Sequence, residues 1–238
     1  SPDFLLRWVR AFDQPEKIAV SALGQEPKKI VIDFSSPNTA KQMHVGHIRS
    51  TIIGESLARL MIFCGHKVIR DNHLGDWGTQ FGILLYAIKR ENVSLDQLGE
   101  DPIAELENLY RKGTAWTKED ESSLEKARKE LVELQAGNPE NLELWKKIKE
   151  ISMDSFDAIY EMLGVRFDFA HGESFYRDRV NQVYDSLLEH EICEENEGAL
   201  VVFHPEHKRF AKQPFIIRKK DGASNYATTD LATLSYRQ

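Results

Sequence analysis

Apolar positions in the first third of the chain switch from strand spacing to helix spacing and back. Ile30, Val31, Ile32 and Phe34 form a short run rich in β-branched residues, the pattern of a strand covered on both faces. Ser36-Pro37-Asn38 breaks it. From Gly46 onward Ile48, Ile52, Ile53, Leu57, Leu60 and Met61 recur at helical spacing, and Gly65 supplies the stop. A second strand is predicted over His66–Asn72, centred on Val68 and Ile69. Strand, helix, strand in this order is a βαβ unit, half of an α/β doubly wound parallel sheet, whose ligands bind beyond the carboxyl ends of the strands. The sequences SSPN and HVGH follow the first strand and HLGDWG follows the second, so both loops point to one crevice.

On either side of this unit the pattern is helical. Phe4, Leu5, Trp8, Val9 and Phe12 predict an amphipathic lead-in helix packed outside the nucleotide fold. A long helical stretch is expected from Thr79 to Leu163. Thr117 to Asp120 has the form of a capping box, and Asn138-Pro139 joins a cap to a first-turn proline. Leu142, Trp145, Ile148, Ile151, Ser152, Phe156, Ile159 and Tyr160 keep the helical period. Another helix is predicted over Tyr176–His190. Asn196-Glu197-Gly198 then precedes the β-like run Ala199–Phe203, and Phe215–Arg218 adds a second run, together a small inserted sheet. Asp221-Gly222 reads as a turn, and Asn225–Thr228 as a return to the main sheet.

Composition narrows the class. The chain has 238 residues, 41% of them hydrophobic, enough for a sizeable core. No apolar run reaches membrane-spanning length and no signal peptide opens it, so no membrane association and a cytoplasmic location are expected. Cys64 and Cys193 are too few for a zinc cluster or a disulfide framework, and Cys64 falls on the apolar side of a helix, as a core residue would. The net charge is −7, and residues 96–150, with 14 acidic and 9 basic side chains, supply −5 of it. That balance argues against broad, non-specific nucleic-acid binding. His204-Pro-Glu-His207 has no further ligand nearby and reads as a polar turn.

The chemistry concentrates at the start of the first βα helix. A helix N-terminus presents unpaired N–H groups and the positive end of its dipole, a ready anion site. His44 and His47 add two imidazole donors, and Gly46 lets a ligand lie close to the backbone. This set suits attack at the α-phosphate of ATP, where the protein stabilises charge without a covalent bond. The GxxxxGK[ST] phosphate loop is absent. Glycines in Leu74–Gly78 permit positive φ and close ligand approach. Asp76 and Gln80 could orient substrate or ribose, or fix the loop by local hydrogen bonds. Tyr226 and Asp230, four apart at a helix start, share one face, and a carboxylate offers a guanidinium a bidentate partner.

HVGH resembles the HIGH signature of class I aminoacyl-tRNA synthetases. Its flanks, SSPN through AKQMHVGH to IRSTIIGESLARL, are similar to the arginyl-tRNA synthetase family, as are LGDWGTQFG at Leu74–Gly82 and NYATTDLATLSYR at Asn225–Arg237. The resemblance runs from about Lys28 to the end of the chain. It implies a Rossmann-like catalytic domain, incomplete here. Residues 1–27 would be the lead-in, 28–92 the first half of the nucleotide fold, 93–222 a helical segment and connective insertion, and 223–238 a truncated return. It implies ATP-dependent activation of L-arginine and transfer to tRNA-Arg, with Mg²⁺ on the ATP, no tightly bound protein metal, and a monomer.

By the same resemblance, Lys41, His44, Gly46 and His47 would serve the phosphates, with Gly75 also at the ATP site. Ser36 and Asn38 would hold the substrate α-amino group, and Tyr226 and Asp230 the arginine side chain. Asp33 would add negative charge near the guanidinium, although many relatives carry Glu there and its shorter reach leaves that role open. The KMSKS-like loop, the second half of the fold and the anticodon-binding domain are missing from the sequence, so weak or no activity is expected of this chain alone. Two rivals are another HxGH nucleotidyl-transferring enzyme and a non-catalytic paralogue that senses arginine or tRNA.

Overall fold

The computed structural model describes residues 1–14, 17–18, 26–208, 211, 213–220 and 226–238. Two compact units divide the chain, Ser1–Gly172 and Glu173–Gln238.

In the first unit, β1 (Lys29–Asp33) and β2 (Lys67–Asp71) pair in parallel, Ile30 opposite Val68 and Asp33 opposite Asp71. Helix α2 (Val45–Phe63) makes the crossover between them, and α1 (Pro2–Ala11) precedes them with no buried residue. The chain returns alongside β2 at Phe169. Asp168 and Phe169 donate their amides to Arg70 O, and Asn72 N donates to Phe169 O. The residues inside β1 are half-buried among the described residues, which corrects the expectation of a strand covered on both faces.

Helix α2 forms where its periodicity predicts, but it buries another face. Thr51, Gly54, Glu55 and Ala58 are buried, while Ile52, Ile53, Leu57 and Leu60 are exposed. Close approach decides this. A Cβ on Gly54 would lie 2.2 Å from Cγ of Phe34, so only glycine lets the helix sit against the end of β1. Glu55 enters the same face and receives Arg70 Nε at 2.8 Å and Arg59 Nε at 2.7 Å. Burial opposes its charge, yet the two guanidinium groups hold its carboxyl below the usual range. Gly65 ends the helix at φ 84°, as expected. Cys64 is the half-buried C-cap, not the core residue the periodicity suggested.

The predicted helical stretch is a layer of α3 (Thr79–Glu91), α4 (Pro102–Glu119), α5 (Glu121–Gln135) and α6 (Pro139–Leu163). Phe81, Leu84, Leu85, Leu106, Leu134 and Ile148 form its dry centre. Asn138 caps α6 with Pro139 in the first turn, as expected. The capping-box reading at Thr117 is wrong. Thr117 donates back to Thr114 O in the last turn of α4, and Asp120 caps α5 by accepting from Ser122 and Ser123 N–H groups. A carboxylate can take two orphan amides where a hydroxyl takes one.

The second unit holds α7 (Glu173–Tyr176), a 3₁₀ turn over 177–179, α8 (Val180–Glu189) and an antiparallel sheet of β3 (Glu194–Asn196), β4 (Ala199–Val202) and β5 (Phe215–Arg218). Glu197 (φ 48°) and Gly198 (φ 83°) make the β3–β4 turn, which needs positive φ at both positions. Val180, Tyr184, Cys193, Leu200 and Ile217 pack its core. Asp221-Gly222 and Asn225 lie outside the described residues. Tyr226 to Thr228 do not return as strand. They open α9 (Tyr226–Arg237), and the Thr228 hydroxyl donates to Ile217 O.

Candidate functional site

The loop from Phe34 to His44 leaves the end of β1 in a strained conformation. Ser35 (φ 71°), Ser36 (φ 53°) and Ala40 (φ 61°) all occupy the left-handed region. Such residues cost about 1–3 kcal/mol each and persist only where their surroundings over-determine them. Here they are held from three sides. Ser36 N donates to Asn72 Oδ1 at 3.1 Å, Gly75 N to Pro37 O at 3.0 Å, and Thr39 N to Gly75 O at 3.1 Å. Ala40 N donates to Ser152 Oγ at 2.9 Å, and the Ser35 and Tyr160 hydroxyls meet at 2.8 Å. Ser36 Oγ donates to Asp33 Oδ1 at 3.0 Å, which leaves its lone pairs available. Asp33, Ser36 and Asn38 are exposed at the mouth of the loop.

One face of α6 braces these loops. Trp145, Lys149, Ser152, Phe156 and Tyr160 lie three or four residues apart along it. Trp145 Nε1 donates to Asp76 O at 2.8 Å, and Lys149 Nζ meets Asp76 Oδ2 at 2.7 Å. Asp76 is fully buried, and Gln80 Nε2 donates to Gly75 O at 2.9 Å. Both side chains therefore fix the loop. Gly75 has no positive φ. Its requirement is close approach, because a Cβ there would lie 2.0 Å from Oδ1 of Asn38.

The two histidines cap α2 with each other. Gly46 N donates to His44 Nδ1 at 3.1 Å, and His44 N donates to His47 Nδ1 at 3.2 Å, a capping box built from imidazoles. The rings stack with centroids 4.0 Å apart. With Nδ1 of each accepting, the neutral ring carries its proton on Nε2, a donor that the cap leaves unused. Burial, and then the neighbouring His44, push the His47 pKa below its ordinary value. A Cβ on Gly46 would meet the His44 ring at 2.9 Å and displace the cap. Lys41 sits in the same loop with Nζ 5.0 Å from the centroid of the Tyr110 ring, and Gln42 reaches Asp101 and Glu107 of the helical layer.

Asp33, Ser36, Asn38, Lys41, His44, Gly46, His47 and Gly75 thus stand on the first unit, seven of them on or beside one loop. Tyr226 and Asp230 belong to the second unit, one turn apart on α9, with Asp230 exposed. Sequence reasoning missed Asn72, Tyr110 and Lys149, and took Ser152 and Tyr160 only as members of a helical stripe. A signal was present in that stripe, since a serine and a tyrosine on an apolar face need polar partners. Among the described residues no group of three or more His, Cys, Asp or Glu side chains is placed to hold a metal ion. His207 N donates to His204 O in a turn, and among the described residues no helix is long and apolar enough to cross a membrane.

Comparison with known proteins gives a consistent answer. Residues 14–238 match the family described as tRNA synthetases class I (R), catalytic domain. The chain is 44% identical over 211 residues to an arginine–tRNA ligase of Acanthamoeba polyphaga mimivirus, covering 88% of this chain and 34% of that protein. It is 41% identical over 240 residues to the arginine–tRNA ligase of Klebsiella pneumoniae subsp. pneumoniae, covering 99% and 41%. The crystal structure of arginyl-tRNA synthetase from Plasmodium falciparum superposes with a TM-score of 0.72 at 32% identity, over 90% of this chain and 36% of that one. The Thermus thermophilus arginyl-tRNA synthetase shares the fold, with a TM-score of 0.65 at 22% identity. The chain spans roughly a third to two-fifths of the length of the curated relatives it matches. With a βαβ crevice, an HVGH-capped helix and this match along nearly its whole length, the chain belongs to the arginyl family of class I tRNA synthetase catalytic domains.

Proposed function

We propose that this chain carries the ATP- and arginine-handling part of an arginine–tRNA ligase. The observation that carries the proposal is the imidazole capping box, which leaves two Nε2–H donors at the N-terminus of α2. ATP, as its Mg²⁺ salt, places its phosphates there. The arginine carboxylate attacks the α-phosphorus, the bond to the β-phosphate oxygen breaks, and pyrophosphate leaves. His44 and His47 donate to phosphate oxygens as charge builds up, and the Lys41 ammonium stabilises the leaving group. Gly46 admits the His44 ring that caps α2 and Gly75 admits Asn38, and both stand beside the nucleotide. The arginyl group then passes from the adenylate to the terminal adenosine of tRNA-Arg.

Ser36 and Asn38 accept from the arginine ammonium, and Asp33, which accepts from Ser36 Oγ, adds its negative charge at this end rather than beside the guanidinium. Asp230 takes the guanidinium in a bidentate pair beside Tyr226. A monomer working in the cytoplasm goes with this reading. Catalysis is positioning plus charge stabilisation.

Calorimetric titration of L-arginine with a non-hydrolysable ATP analogue tests it, with L-lysine and L-citrulline as controls. Citrulline keeps the shape and loses the charge, so arginine uptake with citrulline rejected is expected. Equal uptake of citrulline would remove Asp230 from its role, and failure to bind either arginine or the analogue would overturn the proposal.

A further inference from the structure

Asn72 and Tyr160 form a buried polar relay behind the exposed end of β1. Asn72 is fully buried and Tyr160 is 3% exposed. Ser36 N donates to Asn72 Oδ1 at 3.1 Å, which fixes the orientation of the amide, and Asn72 Nδ2 donates to Tyr160 Oη at 3.1 Å. A phenol has one proton. The Tyr160 oxygen accepts from Asn72 and also meets Ser35 Oγ, 2.8 Å away, where either hydroxyl can be the donor. The relay therefore grips the two consecutive left-handed residues, Ser35 by its side chain and Ser36 by its amide. Ser36 in turn donates its hydroxyl to Asp33. Burial pushes the Tyr160 phenol above its ordinary pKa, so the hydroxyl stays neutral.

We infer that Tyr160 and Asn72 are positioning residues of the amino-acid site, setting Ser36 Oγ and Asp33 for the substrate ammonium through hydrogen bonds to the strained Ser35-Ser36 turn. The inference rests on the arginine-site reading of Ser36 and Asp33. Neither positioning residue touches substrate. Both act by removing alternatives. Without the phenol hydroxyl Ser35 loses this bond to α6, and the turn relaxes toward the right-handed or extended backbone that serine prefers. The buried cluster of Phe34, Leu74, Phe156, Tyr160 and Val165 keeps the tyrosine ring in place when only its hydroxyl is removed.

The test is Tyr160→Phe, read by calorimetry with arginine and separately with an ATP analogue, at a temperature well below the variant's melting midpoint. Loss of one buried hydrogen-bond relay is expected to weaken arginine binding about tenfold, with ATP binding changed less than about twofold. Ser35→Ala cuts the same bond from the other end. It should match Tyr160→Phe, and the double variant should be no weaker than either single one. If Tyr160→Phe fails to fold, Ser35→Ala carries the test alone. A lowered melting temperature with unchanged arginine affinity in the folded variant would overturn the inference, because a merely structural role predicts that result. Wild-type protein that binds ATP but no arginine would instead overturn the arginine-site reading beneath it.

Discussion

Lys41 rests its ammonium 5.0 Å from the centre of the Tyr110 ring, so this loop lysine is held by a residue of the helical layer. Glu107, one turn before Tyr110 on α4, is kept below the usual carboxylate range first by its bond from Arg111, with smaller help from Gln42 and Lys41. The helical layer thus presents an aromatic face and a negative charge to one flexible side chain.

If this contact sets where Lys41 waits, Tyr110→Leu should weaken binding of an ATP analogue several-fold, since an exposed cation–π contact contributes about 0.5–1 kcal/mol. Tyr110→Phe should retain wild-type affinity. Tyr110→Leu combined with Lys41→Met should be no weaker than Lys41→Met alone. An additive double variant, measured by titration, would show that the contact is incidental.

The imidazole cap makes stability depend on pH. The folded state lowers the His47 pKa from its ordinary 6.5. The unfolded chain therefore takes up the proton first as pH falls. The stabilisation is complete above that value and is lost as pH drops from there toward the folded pKa. Protonation at Nδ1 also removes the acceptor for His44 N. His47→Gln keeps an acceptor at the third helical position without a titrating group. Urea unfolding on either side of pH 6.5 should show a smaller stability difference in His47→Gln than in wild type, and equal differences would refute the cap's role.

Asp76 is fully buried and its ion pair with Lys149 closes over it. Lys149→Met would leave that carboxylate without its cation. Lys149 is partly exposed, so the loss of unfolding free energy should be up to about 3 kcal/mol, toward the lower end of what breaking a buried pair costs. Asp76→Asn combined with Lys149→Met should recover part of it. If Lys149→Met unfolds at the wild-type denaturant midpoint, the pair is not what fixes the LGDWG loop.

Gly75→Ala tests the contact between the two loops. The new methyl would coincide with Asn38 Oδ1, 2.0 Å away, and the asparagine must move. Overpacking of this kind costs about 1–3 kcal/mol. The prediction is a lower melting temperature together with weaker arginine binding. An unchanged arginine affinity would separate Asn38 from the amino-acid site.

Local pattern carried much of the fold. The β1–α2–β2 order, the stop at Gly65, the cap at Asn138 and the β3–β4 turn at Glu197-Gly198 all depend on neighbours within a few residues, which is the range over which period, caps and turn chemistry act. The Thr117 cap failed within that range because Asp120, three residues on, is the better acceptor. The expected strand failed over Tyr226–Thr228, which open a helix while Thr228 finds its partner on β5, and nothing in the local sequence announces that.

By itself the sequence determined that the two imidazoles stand at the start of α2 and that the SSPN and HLGDWG loops meet beyond the strand ends, because both follow from chain order in a βαβ unit. Only the tertiary structure decided which face of α2 is buried. The period of Ile52, Ile53, Leu57 and Leu60 pointed to one side, while contact between Gly54 and Phe34 selected the other. Only the tertiary structure showed what holds the crevice in shape. Tyr160 stands 88 residues from Asn72 and 125 from Ser35 along the chain, and hydrogen bonds over such separations arise from packing alone.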